Sequence, residues 1–359
     1  MRVSVSITAE GFYASAIFSN VGDELQNCER TVVMEKRSER LEPDDFCCFE
    51  RHGSKTWRGT PLARDQTPAT HYNPPTPEPI RACLEGGMEL GRRNNVKVSG
   101  KGPATLIFSH GFGCDQSMWR YLAPGFEDRF RVVLYDLVGA GGSDLAAYSA
   151  SRYDSLDGYA DDLAHVIEQF AVGPVIIVGH SVSAMIGALA DRQSPGRIAG
   201  HVMIGPSPCY IDSDDYVGGF TLEDVHSLLD TLDRNYLGWS STMAPAIMGA
   251  PGQPALGVEL TNSFCRTEPE IAKQFARVTF LSDNRADLQG MDTPTLIIQS
   301  TDDMIAPVEV GEYLHAILPN SELCLVENVG HCPHMSAPSP CFDAMNQFLQ
   351  RWLNAAHEQ

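Results

Sequence analysis

The chain has 359 residues, 43% of them hydrophobic, and a formal net charge of −20. A chain of this length and apolar content can bury a sizeable core in one large domain or in two. The negative charge argues against nucleic acid and anionic membrane surfaces as partners, because both repel an acidic protein. The sequence has no apolar run of about 18 residues, so we expect no transmembrane helix.

The cysteine pattern and the first 20 residues indicate the cellular compartment of the protein. Ten cysteines are scattered without a C-x-x-C pair, which favours reduced thiols over a disulfide framework. The segment from Met1 to Asn20 is broken by Thr8, Glu10 and Gly11 and does not have the pattern of a secretory signal. We therefore expect a cytoplasmic protein.

Residues 1–92 differ in composition from the rest of the chain. They carry a proline cluster at 74–79, a charged run at 35–40 and little periodicity beyond one early strand. This segment is predicted to be a weakly ordered extension, and the sequence does not indicate its role.

Regular alternation of strands and helices begins near residue 93. Apolar runs predict strands at 95–99, 104–109, 131–136, 175–178, 201–205, 295–299 and 322–327, and helical patterns cover 119–126, 156–170, 183–190, 308–318 and 342–352. Strands that alternate with helices at this spacing predict a mostly parallel sheet with helices on both faces. The α/β core is expected at 93–211 and 284–359.

Residues 212–283 interrupt this alternation with helical patterning alone. Thr221 and Asp224 form a predicted capping box, and the apolar residues behind it lie on one helical face: Leu222, Val225, Leu228, Leu229 and Leu232. The segment is predicted to be a helical cap inserted between two strands of the sheet.

A short turn joins the strand at 175–178 to the following helix. Its residues, Gly179-His180-Ser181-Val182-Ser183, match G-x-S-x-G except at the last position. In such a strand-turn-helix elbow the serine hydroxyl projects from the sheet edge, a geometry that suits a nucleophile. The alternative is a buried helix start at which Ser181 serves only as a cap.

Ser181, Asp303 and His331 each follow a predicted strand, in the order nucleophile, acid, histidine. A serine hydroxyl needs a histidine to accept its proton and a carboxylate to hold that histidine in one tautomer. Asp302 competes with Asp303 for the acid role, and His334 competes with His331 for the base. His110 and His180 flank the site and are expected to be structural histidines whose rings bond backbone groups.

The segment His331-Cys332-Pro333-His334 is not expected to bind a metal, because no second ligand cluster accompanies it.

During attack by Ser181, negative charge would develop on the carbonyl oxygen of the substrate. The backbone N–H groups of Val182 and Phe112 are the best placed to receive it, at the helix start and in the glycine-flanked loop after an earlier strand.

Longer motifs carry a family resemblance from about residue 92 to the end of the chain. They are SHGFGCDQSMW, VVLYDLVGAGGSD, YDSLDGYADDL, VGHSVSAMIGALA, IGPSPCYI and GHCPHMSAP. These segments resemble the α/β-hydrolase subfamily of the bacterial stress regulator RsbQ and its plant relatives, the karrikin and strigolactone receptors. The chain is thus expected to have an α/β-hydrolase fold.

The resemblance implies roles for individual residues. It assigns the triad to Ser181, Asp303 and His331, with Asp303 chosen by the segment TDDMIAP, and the oxyanion donors to Phe112 and Val182. It also implies a cap of four helices arranged as a V over an apolar pocket, without a cofactor. The implied pocket wall comprises Tyr210, Phe220, Trp239, Met243 and Phe280, with Met304 at the mouth.

An apolar pocket over a serine nucleophile favours small hydrophobic substrates. We therefore expect a serine hydrolase that cleaves a small hydrophobic ester or butenolide-like lactone through an acyl-enzyme. The alternative is a ligand-sensing regulator in which slow hydrolysis matters less than the recruitment of a partner protein.

Overall fold

The computed structural model describes residues 2–8, 11–17 and 91–357. The chain divides into two units, Met1–Tyr72 and Asn73–Gln359. In the first unit, β1 (Arg2–Thr8) and β2 (Gly11–Ile17) form an antiparallel pair. The predicted extension over residues 1–92, with its proline cluster, falls mostly outside the described residues, so its weak order stays a prediction.

The second unit contains one sheet of seven described strands. They are β3 (Lys97–Ser99), β4 (Thr105–Ser109), β5 (Arg131–Tyr135), β6 (Val175–His180), β7 (Ile198–Ile204), β8 (Thr295–Asp302) and β9 (Ser321–Val329). Their order is β3-β5-β4-β6-β7-β8-β9; β3 is antiparallel to β5, and the other neighbours are parallel.

Both faces of the central strands are covered, which explains their continuous apolar sequences. Every residue of β4 and β6 is buried. Leu106 and Phe108 point into the core on one face of the sheet, and Ile107 points into the core on the other. Successive side chains of a strand alternate between faces, so both layers of helices bury apolar side chains of the same strand.

The core helices are α1 (Asp157–Phe170), α2 (Val182–Gln193), α7 (Val308–Ile317), α8 (Pro333–Ser336) and α9 (Pro338–His357). The prediction of a single helix at 119–126 was wrong. The chain forms two short 3-10 helices there, Gln116–Tyr121 and Ala123–Phe126. Pro124 lies at the start of the second one, and it has no N–H with which to continue a helical ladder from the first.

Four helices lie between β7 and β8: α3 (Leu222–Arg234), α4 (Tyr236–Met248), α5 (Pro254–Arg266) and α6 (Pro269–Phe280). The predicted capping box is confirmed at the start of α3, where the Thr221 hydroxyl and the Asp224 carboxylate each accept the other residue's backbone N–H. A mostly parallel sheet with helices on both faces and a helical insertion confirms the predicted fold class.

The order of the strands determines where a site can form. β4 lies between β5 and β6, so the chain leaves β4 toward one side of the sheet and returns through β6 on the other. A crevice opens beyond the carboxyl ends of two strands at such a switch point, and ligands of α/β proteins bind there. Within the described ranges, none of the helices has the length and apolar character that a bilayer crossing requires.

Candidate active site

Ser181 lies in the tight turn between β6 and α2. Its backbone has φ 56° and ψ −128°, a left-handed conformation that costs a non-glycine residue about 1–3 kcal/mol. The Ser181 N–H donates to the carbonyl of Ile204 at 2.9 Å, which helps to hold the strained turn. At Gly179 an added Cβ would lie 2.6 Å from the carbonyl oxygen of Ser183, so the close return of the chain requires glycine there.

Ser183 occupies the position where the elbow pattern has its second glycine. Its hydroxyl donates to the carbonyl of His110 at 2.5 Å and is 3.0 Å from the hydroxyl of Ser109. Because a carbonyl only accepts, Ser183 must receive the Ser109 proton, and Ser109 in turn accepts from Tyr135 at 2.6 Å. The departure from the pattern thus ties the Ser181 turn to the loop after β4.

His331 lies within hydrogen-bonding distance of both Ser181 and Asp303. His331 Nε2 is 2.8 Å from Ser181 Oγ, and His331 Nδ1 is 2.8 Å from Asp303 Oδ2. The other carboxylate oxygen of Asp303 accepts the N–H groups of Ile305 and Ala306 at 2.8 and 3.2 Å. The ionised carboxylate only accepts, so His331 carries its proton on Nδ1 and presents a bare Nε2 to the serine hydroxyl.

The competing residues are directed elsewhere. The side chain of Asp302 is exposed, and only its backbone carbonyl reaches the histidine loop, where it accepts the Gly330 N–H at 2.8 Å. His334 is buried against the rings of Trp119 and His180, at centroid distances of 4.8 and 4.5 Å. Burial lowers the pKa of His334 to about 3, so the ring is neutral near pH 7.

His110 fixes the peptide unit between Gly111 and Phe112. The Leu137 N–H donates to His110 Nε2 at 3.0 Å, so a neutral His110 carries its proton on Nδ1 and donates to the Gly111 carbonyl at 2.9 Å. That carbonyl shares a rigid plane with the Phe112 N–H, which therefore points the opposite way. Neither the Phe112 N–H nor the Val182 N–H has an acceptor among the described residues.

His180 connects the nucleophile turn to the histidine loop. Its Nε2 donates to the backbone carbonyl of His331 at 2.9 Å. Burial, together with the neighbouring rings of His334 and His331, holds the pKa of His180 well below its usual range. The ring is therefore a neutral, fixed donor beside Ser181.

Ser181 lines a cavity of about 20 Å³, which has room for roughly one water molecule. Of the six predicted wall residues, Tyr210 and Phe280 line it. Phe220 and Trp239 lie one layer behind, against the rings of Phe280 and Phe112 respectively, and Met243 packs on the core. Met304 is 43% exposed. The other lining residues are Phe112, Cys114, His180, Ile247, Leu260, Phe264, Thr279, Ile305, His331 and Cys332.

The motifs could have indicated some of the wall residues that the sequence analysis missed. Four lining residues lie within two positions of predicted site residues, so the sequence placed them near the cavity: Cys114, Thr279, Ile305 and Cys332. Leu260 and Phe264 lie on cap helix α5, and no local signal separates them from ordinary core positions. No group of three or more metal-ligating side chains occurs among the described residues.

Comparison with known proteins identifies the family. Residues 106–344 match the family model described as "Alpha/beta hydrolase family". The chain belongs to the α/β hydrolase family. The hydrolase is 39% identical to karrikin insensitive 2 receptor CA of Petunia hybrida over 68% of its own length and 91% of the relative. It is 36% identical to strigolactone esterase D14 of Arabidopsis thaliana, over 72% and 96% of the two chains.

Among solved structures, the hydrolase is similar to a hydrolase from Oleispira antarctica, with 43% identity and a TM-score of 0.71, over 74% of this chain and 97% of the other. These relatives confirm the resemblance to α/β hydrolases related to the plant karrikin and strigolactone receptors.

The polar groups in the cavity of the hydrolase are neutral or paired. Burial raises the pKa of Tyr210 to about 12, so its hydroxyl keeps its proton, 3.4 Å from Ser181 Oγ. Burial also raises the pKa of the Cys114 and Cys332 thiols above the ordinary range. Both thiols are therefore part of an uncharged wall.

The cap of the hydrolase is bonded to the loop that carries His331. The His331 N–H donates to the Ile247 carbonyl at 2.8 Å, and the Ala250 N–H donates to the Val329 carbonyl at 3.0 Å. Gly249 and Gly330, both with positive φ, allow the two backbones to approach this closely. An added Cβ at Gly330 would lie 1.9 Å from the Met248 carbonyl oxygen.

Proposed function

We propose that this α/β hydrolase is a serine hydrolase that cleaves a small hydrophobic ester or a butenolide-like lactone through an acyl-enzyme. The observation that carries the proposal is the pair of 2.8 Å contacts that join Ser181 Oγ to His331 Nε2 and His331 Nδ1 to Asp303 Oδ2. The strained elbow supports the same role, since it holds the serine hydroxyl at the end of a buried strand.

In the proposed reaction, Ser181 Oγ attacks the carbonyl carbon of the ester while His331 Nε2 accepts the hydroxyl proton. Asp303 stabilises the resulting imidazolium, which keeps its Nδ1 proton. When the tetrahedral intermediate collapses, the bond from carbon to the leaving oxygen breaks and that oxygen takes the proton from Nε2. A lactone would open in this step, so its alcohol end would stay attached to the acyl group.

Water then attacks the acyl-enzyme, with His331 again accepting a proton, and the acid is released as Ser181 regains its hydrogen. The proposed oxyanion donors are the N–H groups of Phe112 and Val182. Their freedom from other described acceptors supports this role. Loss of one such donor costs on the order of a hundredfold in rate.

The surroundings of Ser181 support an uncharged substrate. The cavity wall includes the apolar side chains of Phe112, Ile247, Leu260, Phe264 and Phe280, and no Lys or Arg among the described residues lines it. A charged substrate group would lose its hydration there without gaining an ionic partner.

A fluorophosphonate probe tests the proposed nucleophile. We expect the wild-type chain to gain one covalent adduct on the peptide that contains Ser181 and to hydrolyse p-nitrophenyl acetate. Ser181→Ala should lose both, whereas Ser241→Ala, at an exposed cap serine, should keep both. Labelling or turnover that survives Ser181→Ala would refute the proposal.

A ligand-sensing regulator is the second candidate. Two observations favour it: the cavity of about 20 Å³ must widen to admit a ligand, and cap helix α4 is hydrogen-bonded to the His331 loop. The relatives include a karrikin insensitive 2 receptor and a strigolactone esterase, and these names correspond to the two candidates. In a sensor, ligand would move the cap and a protein partner would bind the altered surface.

The rate of turnover distinguishes the two candidates. An enzyme should turn over a suitable ester faster than about one per second, within the ordinary range of kcat. A sensor should show a ligand-dependent thermal shift with much slower turnover.

We also propose that the protein is cytoplasmic. The six cysteines in the described residues are all unpaired, which supports a reducing compartment. Cell fractionation tests that location.

A further inference from the structure

Thr279 places an unpaired hydroxyl at the cavity that contains Ser181. The residue is 1% exposed, its Oγ1 is buried, and it has no hydrogen-bond partner among the described residues. It lies next to Phe280 near the end of α6, and both residues line the cavity. A buried hydroxyl without a partner is unfavourable, so such a group calls for an explanation.

Several other hydroxyls of the cap helices form hydrogen bonds within their own helix. Five of them donate to the carbonyl four residues earlier, at 2.8–3.1 Å: Thr231, Ser240, Ser241, Thr242 and Thr261. This local bond is the ordinary solution for Ser and Thr inside a helix. Thr279 has the same option with the carbonyl of Phe275 and does not use it.

Three other polar side chains of the cavity, those of Ser181, His331 and Tyr210, contact one another. Ser181 and His331 bond each other, and the Tyr210 hydroxyl faces Ser181 Oγ. His180 Nδ1 also lacks a partner, but it lies against Gly111, where an added Cβ would be only 2.5 Å away. Among the described residues that line the cavity, Thr279 therefore has a side-chain hydroxyl that is not engaged in a hydrogen bond.

We infer that the Thr279 hydroxyl binds a second, uncharged oxygen of the ligand, such as a ketone or ether oxygen that is not part of the scissile bond. The inference rests on the proposed function and narrows its substrate class to small esters or lactones with an additional oxygen. No Lys or Arg among the described residues lines this cavity, so we expect the oxygen to be uncharged. A site built around one hydrogen bond discriminates against analogues that lack the partner.

Isosteric substrate pairs test the inference. On the acyl side, p-nitrophenyl methoxyacetate is compared with p-nitrophenyl butyrate, and on the alcohol side 2-methoxyethyl acetate is compared with butyl acetate. Each pair exchanges one oxygen for a methylene group. The ratio of kcat/KM within each pair is measured for wild type, Thr279→Val, Thr279→Ser and the control Thr231→Val, whose hydroxyl is satisfied within α3.

We expect Thr279→Val to lower the oxygen-to-methylene ratio by roughly three- to tenfold in at least one pair, the range of a single hydrogen bond. Thr279→Ser and Thr231→Val should keep the wild-type ratio. Ratios that are the same in Thr279→Val and wild type for both pairs would overturn the inference. Such a result would mean that the hydroxyl contacts no substrate oxygen.

Two further measurements separate this inference from the proposed function. If no ester is turned over, the same ratios are obtained as dissociation constants on the Ser181→Ala chain, with and without Thr279→Val. Thermal unfolding without ligand is the second measurement: Thr279→Val should raise Tm, because it removes an unpaired buried hydroxyl and keeps its shape. A lower Tm, or failure to fold, would show that the hydroxyl is already satisfied and would count against the inference.

Discussion

The backbone N–H of His331 donates a hydrogen bond of 2.8 Å to the carbonyl of Ile247, near the end of cap helix α4. A second backbone bond, from Ala250 to Val329, lies beside it. The proposed catalytic base is therefore held by the cap as well as by Asp303. A movement of α4 large enough to admit a ligand would act directly on the position of His331.

Gly330→Ala should displace His331 from Ser181. The new Cβ would meet the Met248 carbonyl at 1.9 Å in a backbone with φ 113°, so the loop and the helix must separate. We expect kcat for p-nitrophenyl acetate to fall at least tenfold, because small displacements of catalytic groups are costly in rate. Gly290→Ala is the control, since Gly290 also has positive φ but nothing within 4 Å of an added Cβ. It should destabilise the fold by about 1–3 kcal/mol through backbone strain and keep its kcat. Equal kcat in both variants would contradict the displacement.

Two substitutions of His110 should have unequal effects on rate. Asparagine retains a donor near the position of Nδ1, toward the Gly111 carbonyl, whereas glutamine retains an acceptor near the position of Nε2, toward Leu137. If the Gly111–Phe112 peptide plane positions an oxyanion donor, His110→Gln should lower kcat by ten- to about a hundredfold with little change in KM, and His110→Asn should lower it less. The reverse order would mean that His110 serves only to join the ends of β4 and β5.

His334 should make the fold sensitive to acid. Its pKa is lowered to about 3 in the folded chain and is near 6.5 in the unfolded chain, so only the unfolded chain binds this proton between those values. The free energy of unfolding that depends on His334 is fully present above pH 6.5 and is lost as pH falls toward 3, by about 1 kcal/mol per pH unit. Denaturant unfolding from pH 7 to pH 4 should therefore show a shallower loss in His334→Phe than in wild type. The exposed control His226→Gln should follow wild type, and parallel curves for all three chains would contradict the prediction.

Thr221→Ala should destabilise the chain through the start of α3. The substitution removes the hydroxyl that accepts the Asp224 N–H, at a cost of about 0.5–2 kcal/mol. Urea unfolding measures this difference, and Thr231→Ala within the same helix is the matched control with a smaller expected loss. If Thr221→Ala lowers the free energy of unfolding no more than Thr231→Ala does, the capping box does not stabilise the start of α3.

Features that depend on near neighbours in the chain were predictable from the sequence. The apolar runs of β4 and β6 predicted buried strands, because both faces of a parallel strand are covered and its side chains are apolar throughout. The capping box at Thr221 and Asp224 and the elbow around Ser181 are equally local, since each needs only a few residues at fixed spacing. The assignment of one helix at 119–126 failed because Pro124 divides an apolar pattern that still looks helical.

The tertiary structure decided which way individual side chains point and what they contact. Asp302 and Asp303 are chemically identical neighbours, and the turn after β8 buries one against His331 and exposes the other. Whether Trp239 or Phe264 borders the cavity depends on how four cap helices are rotated against one another, and both side chains are equally apolar in sequence. The order and spacing of the strand and helix patterns determined that the chain folds as a parallel sheet covered on both faces. Only long-range packing determined which hydroxyls and rings surround Ser181, because those contacts join residues distant in sequence whose side chains carry no local signal of their partners.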